Sequence, residues 1–204
     1  MSDHQIQSGE QLRAIVGEVN PVTSLKLGAA LDAAARDFIA RSPFLVLSTS
    51  DTEGNQDVSP KGDAPGFVAI EDDQTLLVPD RKGNRLIYGL QNILANPHVG
   101  LLFMVPGTSE TLRVNGAASL TADPDICARL SARGQPAQLA IRVTVRECFF
   151  HCGKAFLRAQ LWKPETWPHH TVSFGKILAR KVGADETMAE QIDEVIADDY
   201  RNNL

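Results

Sequence analysis

No apolar run in this chain is longer than a strand. The longest, residues 99–105, falls far short of the roughly 20 residues a helix needs to cross a bilayer. Residues 1–10 are polar and lack the basic patch and apolar stretch of a secretory leader. Cysteine is scarce, with three in 204 residues. Cys127, Cys148 and Cys152 form an odd set, which fits reduced thiols in a reducing compartment, so a cytoplasmic protein is expected. Excess positive charge is also missing: 20 Lys and Arg stand against 25 Asp and Glu, a net charge of −5. That excludes a general nucleic-acid binder, because phosphate backbones select basic surfaces. Neither the glycine fingerprint of a dinucleotide fold nor a Walker-type loop occurs. Internal repeats and low-complexity segments are absent too.

At 43% hydrophobic and 22% charged residues, the chain can bury a substantial core without disulfide or metal staples. One domain with helical additions is expected: a helical segment over 1–43, a core over 44–152 and a helical tail over 153–204. Ser8 and Gln11 sit at capping-box spacing ahead of Leu12, Ile15 and Val16, which predicts a first helix. After Pro21 a second helix is predicted, with Leu31, Ala35, Phe38 and Ile39 as its stripe and Ser42-Pro43 as its stop.

From Phe44 the period changes. Short strands are predicted over 44–49, 57–60, 67–70 and 75–79, as an antiparallel meander. Gly83-Asn84 then opens a predicted helix through Leu86, Leu90, Ile93 and Leu94, ended by Asn96-Pro97. Further strands are predicted over 99–105 and 111–121. Asp123-Pro124 marks a helix start, with Gly134 as its stop. Over 139–150, Ile141, Val143 and Val145 alternate with Arg142, Thr144 and Arg146, the pattern of a sheet with one wet face. Many strands and few intervening helices predict a mainly β fold with peripheral helices, an antiparallel barrel closed or partly closed.

The cations cluster in Ser59-Pro60-Lys61-Gly62-Asp63 and Pro79-Asp80-Arg81-Lys82-Gly83-Asn84-Arg85. A terminal phosphate is a dianion, and a helix N-terminus offers free amides and a positive dipole end. Arg81 and Arg85 add forked donors, Gly83 permits close backbone approach, Asn84 is a candidate N-cap, and Lys61 adds a point charge. The same residues also read as ordinary wet-loop chemistry, so on their own they leave both readings open.

The runs Phe44-Leu45-Val46-Leu47-Ser48-Thr49, Asp57-Val58-Ser59-Pro60-Lys61-Gly62-Asp63 and Leu76-Leu77-Val78-Pro79-Asp80-Arg81 resemble the pyridoxamine-phosphate-oxidase-like FMN-binding split-barrel family. Val99-Gly100-Leu101-Leu102-Phe103, Glu110-Thr111-Leu112-Arg113-Val114-Asn115-Gly116 and Phe150-His151-Cys152-Gly153-Lys154-Ala155-Phe156 are similar to one subgroup of FMN-dependent enzymes. The resemblance implies a split barrel paired as a homodimer, with FMN at the subunit interface. It implies FMN contacts from Ser59, Lys61, Val78, Pro79, Asp80, Arg81, Asn84 and Arg85, with Arg113, Lys154, Arg158 and Trp162 closing the site. The implied activity is FMN-dependent oxidoreduction of a small molecule, performed by the flavin ring, with Lys61 and Lys154 as candidates to stabilise the reduced ring. A flavin-storage protein without turnover, or the same barrel holding haem or a deazaflavin, are the alternatives. Lys82 and Ile87 depart from the subgroup, which commonly has proline and a carboxylate there. The C-terminal motif of true pyridoxamine-phosphate oxidases is absent, so the vitamin substrate is not implied.

Cys148, His151 and Cys152 could suggest a metal, but no second ligand pair follows at matching spacing, and no metal is expected. His169-His170 reads as a surface loop. Trp162 and Trp167 either pack the tail or stack on a ring. Met188, Ile192, Val195 and Ile196 mark an acidic terminal helix expected to dock on the core as a lid.

Overall fold

The structure is a computed structural model that describes residues 4–203. The start of the polar segment at 1–3, and Leu204, lie outside the described residues. Seven strands build one sheet: β1 (Phe44–Ser50), β2 (Gln56–Gly62), β3 (Ala69–Ile70), β4 (Thr75–Asp80), β5 (His98–Met104), β6 (Thr111–Thr121) and β7 (Leu139–His151). Their order is β2-β1-β5-β6-β7-β4-β3, and every pairing is antiparallel. β2 and β3 are the two ends, and no ladder joins them among the described residues. The sheet is therefore a split barrel, not a closed one. A simple meander does not describe it. The helix after β4 carries the chain across, so β5 pairs with β1 and β4 is left to pair with β7.

Period-two alternation sets which face is buried. Ile141, Val143 and Val145 of β7 are almost wholly inside, whereas Thr144 and Arg146 are exposed. Leu45, Leu47, Leu101, Phe103, Leu112 and Val114 fill the same interior. On the opposite face of β4 and β7, Leu77 and Ala140 make a smaller core with Cys127 and Leu130. β6 and β7 slip register between Asn115 and Gly116. A Cβ on Gly116 would lie 2.2 Å from the Thr144 carbonyl oxygen, so only glycine admits this bulge.

Eight helices flank the sheet among the described residues. α1 (Gly9–Val16) is capped by Ser8, whose hydroxyl accepts from the Gln11 amide. The Gln11 side chain returns to the Gln7 amide instead of closing a capping box on Ser8. Leu12, Ile15 and Val16 of α1 are exposed. The predicted second helix is two helices, α2 (Pro21–Ser24) and α3 (Ala33–Arg41), because Asp32 caps a fresh start at Ala33, its carboxylate accepting from the Ala35 amide. Leu31 is buried just ahead of α3.

The predicted start at Gly83-Asn84 is corrected: α4 (Tyr88–Ala95) begins several residues later. Arg85 and Ile87 both take positive φ, 62° and 45°, which breaks the helical path before Tyr88. α5 (Pro124–Arg129) starts as expected, with the Asp123 carboxylate accepting from Asp125 and Ile126. Gly134 does not end it. The helix stops at Arg129, and Gly134 turns a small hairpin between Ala132 and Gln135.

The tail holds α6 (Lys154–Ala159), a 3₁₀ turn (Pro164–Thr166), α7 (Phe174–Val182) and α8 (Glu186–Asn202). Within one chain α8 does not dock on the barrel as the expected lid. It packs chiefly on α7, with Gly175 against Ala189 and the Asp193 carboxylate accepting from the Gly175 amide. None of these helices is long and apolar enough to cross a membrane.

Candidate functional site

A cavity of about 280 Å³ opens where the free edge of β2 approaches the end of β4. Alternation along β2 sends Asp57, Ser59 and Lys61 into it, with Leu47 of β1 behind them. Asp80 and Arg81 line the opposite side, and residues 83–90 form the roof. Of the residues implied by resemblance, Ser59, Lys61, Asp80, Arg81, Asn84 and Arg85 thus converge on one cavity.

Lys61 Nζ donates to Asp80 Oδ1 at 2.8 Å, and Arg81 Nε donates to Asp63 Oδ2 at 2.9 Å. Arg81 Nη1 also donates to the Leu130 carbonyl, at 2.7 Å. Arg85 has no ion-pair partner among the described residues. Asn84 is not an N-cap. Its side-chain oxygen accepts from the Leu86 amide, closing a turn within the loop. The first turn of α4 instead meets β2 directly. A Cβ on Gly89 would stand 3.0 Å from Asp57 Oδ2 and 3.5 Å from Thr49 Oγ1. The Asp57 carboxylate therefore lies beside the first turn of this helix, which has no side-chain cap.

The remaining implied residues lie elsewhere, and none of them lines the cavity within one chain. Val78 and Pro79 are buried in β4. Arg113 is on the outer face of β6, with its guanidinium 5.3 Å from the Phe149 ring centre, and Lys26 approaches the same ring at 5.4 Å. Lys154 and Arg158 are exposed on α6. The Trp162 ring nitrogen donates to the Thr108 carbonyl, and its ring stands edge-on to Phe156, so it packs the tail against the β5–β6 loop. Trp167 donates to the Gln160 carbonyl.

Sequence reasoning did not assign Asp57, Gly89 or Gln138 to the site, yet all three line it. Asp57 was legible in principle, two and four residues before Ser59 and Lys61 on one strand face. Gln138 had no signal. Cys127 and Cys148 are buried, and burial, reinforced by the Asp32 charge, pushes the Cys148 thiol up to about 11. Cys152 is exposed, as are His169 and His170.

The sequence model of the pyridoxamine 5'-phosphate oxidase family matches residues 31–152. The chain belongs to that family of split barrels. No curated protein matches it. Among solved structures, HupZ of Group A Streptococcus is 16% identical with a TM-score of 0.48, covering 58% of this chain and 92% of its own. A protein related to general stress protein 26, of the pyridoxinephosphate oxidase family, from Clostridium acetobutylicum is 12% identical with a TM-score of 0.46, covering 58% and 86%. An FMN-binding protein from Syntrophomonas wolfei is 12% identical with a TM-score of 0.46, covering 57% and 82%.

Proposed function

We propose that the chain is an FMN-dependent oxidoreductase that works as a homodimer on a small molecule. The cavity at the split carries this reading. It gathers Lys61, Arg81 and Arg85 beside the exposed loop at 83–87, in a chain of this family. Its donor set suits a phosphate dianion, with Lys61, Arg85 and the 83–84 loop at the phosphate and Ser59 toward the ring. When bound, FMN supplies hydride or electron transfer, and the protein supplies binding and orientation.

At about 280 Å³ the cavity sits just below the range of about 300–1,000 Å³ typical of ligand pockets. A single chain therefore encloses only a portion of a molecule as long as FMN. A second copy would complete the enclosure. Across β1, β2, β5 and β7 the register aligns Val46, Pro60, Leu102 and Phe149, half-buried or exposed side chains on one outer face, a surface suited to pairing two sheets. In the dimer, Arg113, Lys154, Arg158 and Trp162 would close the partner's cavity.

The test is titration of the ligand-free protein with FMN and riboflavin, with mass measured by light scattering. FMN should be held more tightly than riboflavin by a particle of twice the chain mass, and the bound flavin should be reduced by a nicotinamide cofactor. Absence of FMN binding overturns the proposal. Binding without turnover leaves a flavin-binding protein and removes the oxidoreductase.

A further inference from the structure

The cavity sits where the free edge of β2 meets the end of β4, and two ion pairs cross between them. β2 and the residue after it present Lys61 and then Asp63. The end of β4 presents Asp80 and then Arg81. The signs are reciprocal: Lys61 pairs with Asp80 at 2.8 Å and Arg81 with Asp63 at 2.9 Å. No strand ladder runs between β2 and β4 among the described residues. The four side chains are only 10–29% exposed. An unpaired charge in such a partly dry position is unfavourable, so each carboxylate holds its cation in place. Lys61, Asp80 and Arg81 also form the cavity wall, so closing the split and shaping the pocket depend on the same residues.

We propose that Asp80 and Asp63 are positioning residues that hold Lys61 and Arg81 as a closed latch across the split, and that a phosphomonoester dianion enters by taking Lys61 from Asp80. The identity of the ligand rests on the FMN reading above, whereas the latch does not. Exchange gives the site its selectivity. A neutral ligand offers Lys61 nothing in place of Asp80. A phosphate offers up to two charges and three strong acceptor oxygens. Asp80 thereby filters for doubly charged groups, and Arg85, already unpaired, supplies the first attraction.

The test uses the full chain, with FMN, riboflavin and inorganic phosphate as probes. Asp80→Asn keeps the side-chain shape and frees Lys61. The affinities for FMN and for inorganic phosphate should each rise at least fivefold, and the ratio of FMN to riboflavin affinity should rise with them. A merely structural aspartate would not move that ratio. Hydrogen exchange of the ligand-free protein reports the latch itself. Amides at 61–63 and 80–81 should exchange faster in Asp80→Asn and in Lys61→Asp, and the double variant Lys61→Asp/Asp80→Lys should recover slow exchange. An unchanged or lowered ratio of FMN to riboflavin affinity overturns the exchange. A double variant that exchanges as fast as the single ones overturns the latch. If the wild-type chain binds no FMN, the functional reading fails, and the hydrogen-exchange and phosphate arms still decide this proposal.

Discussion

Gly89→Ala separates what the cavity does from what holds the fold. The position is in the first turn of α4, where alanine is favoured over glycine by up to about 1 kcal/mol. Against that gain, the new methyl would stand 3.0 Å from Asp57 Oδ2, 3.5 Å from Thr49 Oγ1 and 3.8 Å from Ser59 Oγ. Thr49 is buried and receives a hydrogen bond from Asn92, so it stays put. Its distance is ordinary contact, however. The tight contact is with the far end of a half-buried carboxylate, which can turn aside. The two effects nearly cancel, so stability should change by less than about 1 kcal/mol, a Tm shift of about 2–4 °C at most for a chain of this size. Ligand binding has no such compensation, because both the methyl and the turned carboxylate enter a cavity of about 280 Å³. FMN affinity should fall at least about tenfold, or about 1.4 kcal/mol. The assays are thermal unfolding and FMN titration on the same preparation. An unchanged FMN affinity would refute the placement of the ligand under α4. A Tm loss well beyond that range would refute the argument that Asp57 yields.

Arg85→Ala should weaken FMN by about tenfold or more while leaving riboflavin binding unaltered, since charge-assisted bonds to phosphate are the strong ones; paired titrations check this. Gly116→Ala should cost about 3 kcal/mol through the clash at the β-bulge, read by urea unfolding. Cys148 stays protonated until pH nears its raised value of about 11. In the native protein at pH 8, iodoacetamide should therefore label exposed Cys152 far faster than Cys148, as followed by peptide mass. The Asp193 carboxyl is held below its ordinary value by the Ser173 hydroxyl and then by the Gly175 amide. Its stabilisation of the α7–α8 hairpin is complete above the ordinary carboxylate range and is lost as pH falls through the lowered value. Asp193→Asn should thus loosen the hairpin at pH 7, with the difference vanishing in strong acid, as read by hydrogen exchange of α7.

Most strands were legible because their burial repeats every two residues, as in β7, where Ile141, Val143 and Val145 turn inward, whereas β4 is buried on both faces. Asp123 and Pro124 likewise announced α5 through local capping chemistry. Local chemistry misled at Gly83-Asn84, where a turn made by the Asn84 side chain looks like a cap until the positive φ of Arg85 and Ile87 is known. The cations of the site were visible in sequence, but their partners were not. Lys61 and Asp80 are 19 residues apart, Asp63 and Arg81 18 apart, and only the curling of the sheet brings them together. A cluster that reads as free positive charge is in fact largely paired. Gln138 reaches the cavity through the β4–β7 pairing alone, which no local pattern encodes. The exposed stripes of α1 and the self-contained α7–α8 hairpin show that apolar periodicity predicts a helix more reliably than it predicts what that helix packs against.

The most direct test of the central claim is a crystal structure of the chain grown with FMN. The phosphate is expected at Lys61, Arg85 and the 83–84 loop, and the flavin in the split between β2 and β4. A second copy is expected to cover the side of the ligand that a single chain leaves open. FMN bound elsewhere on the fold, or a fully formed dimer whose cavities remain empty at saturating FMN, would contradict the claim.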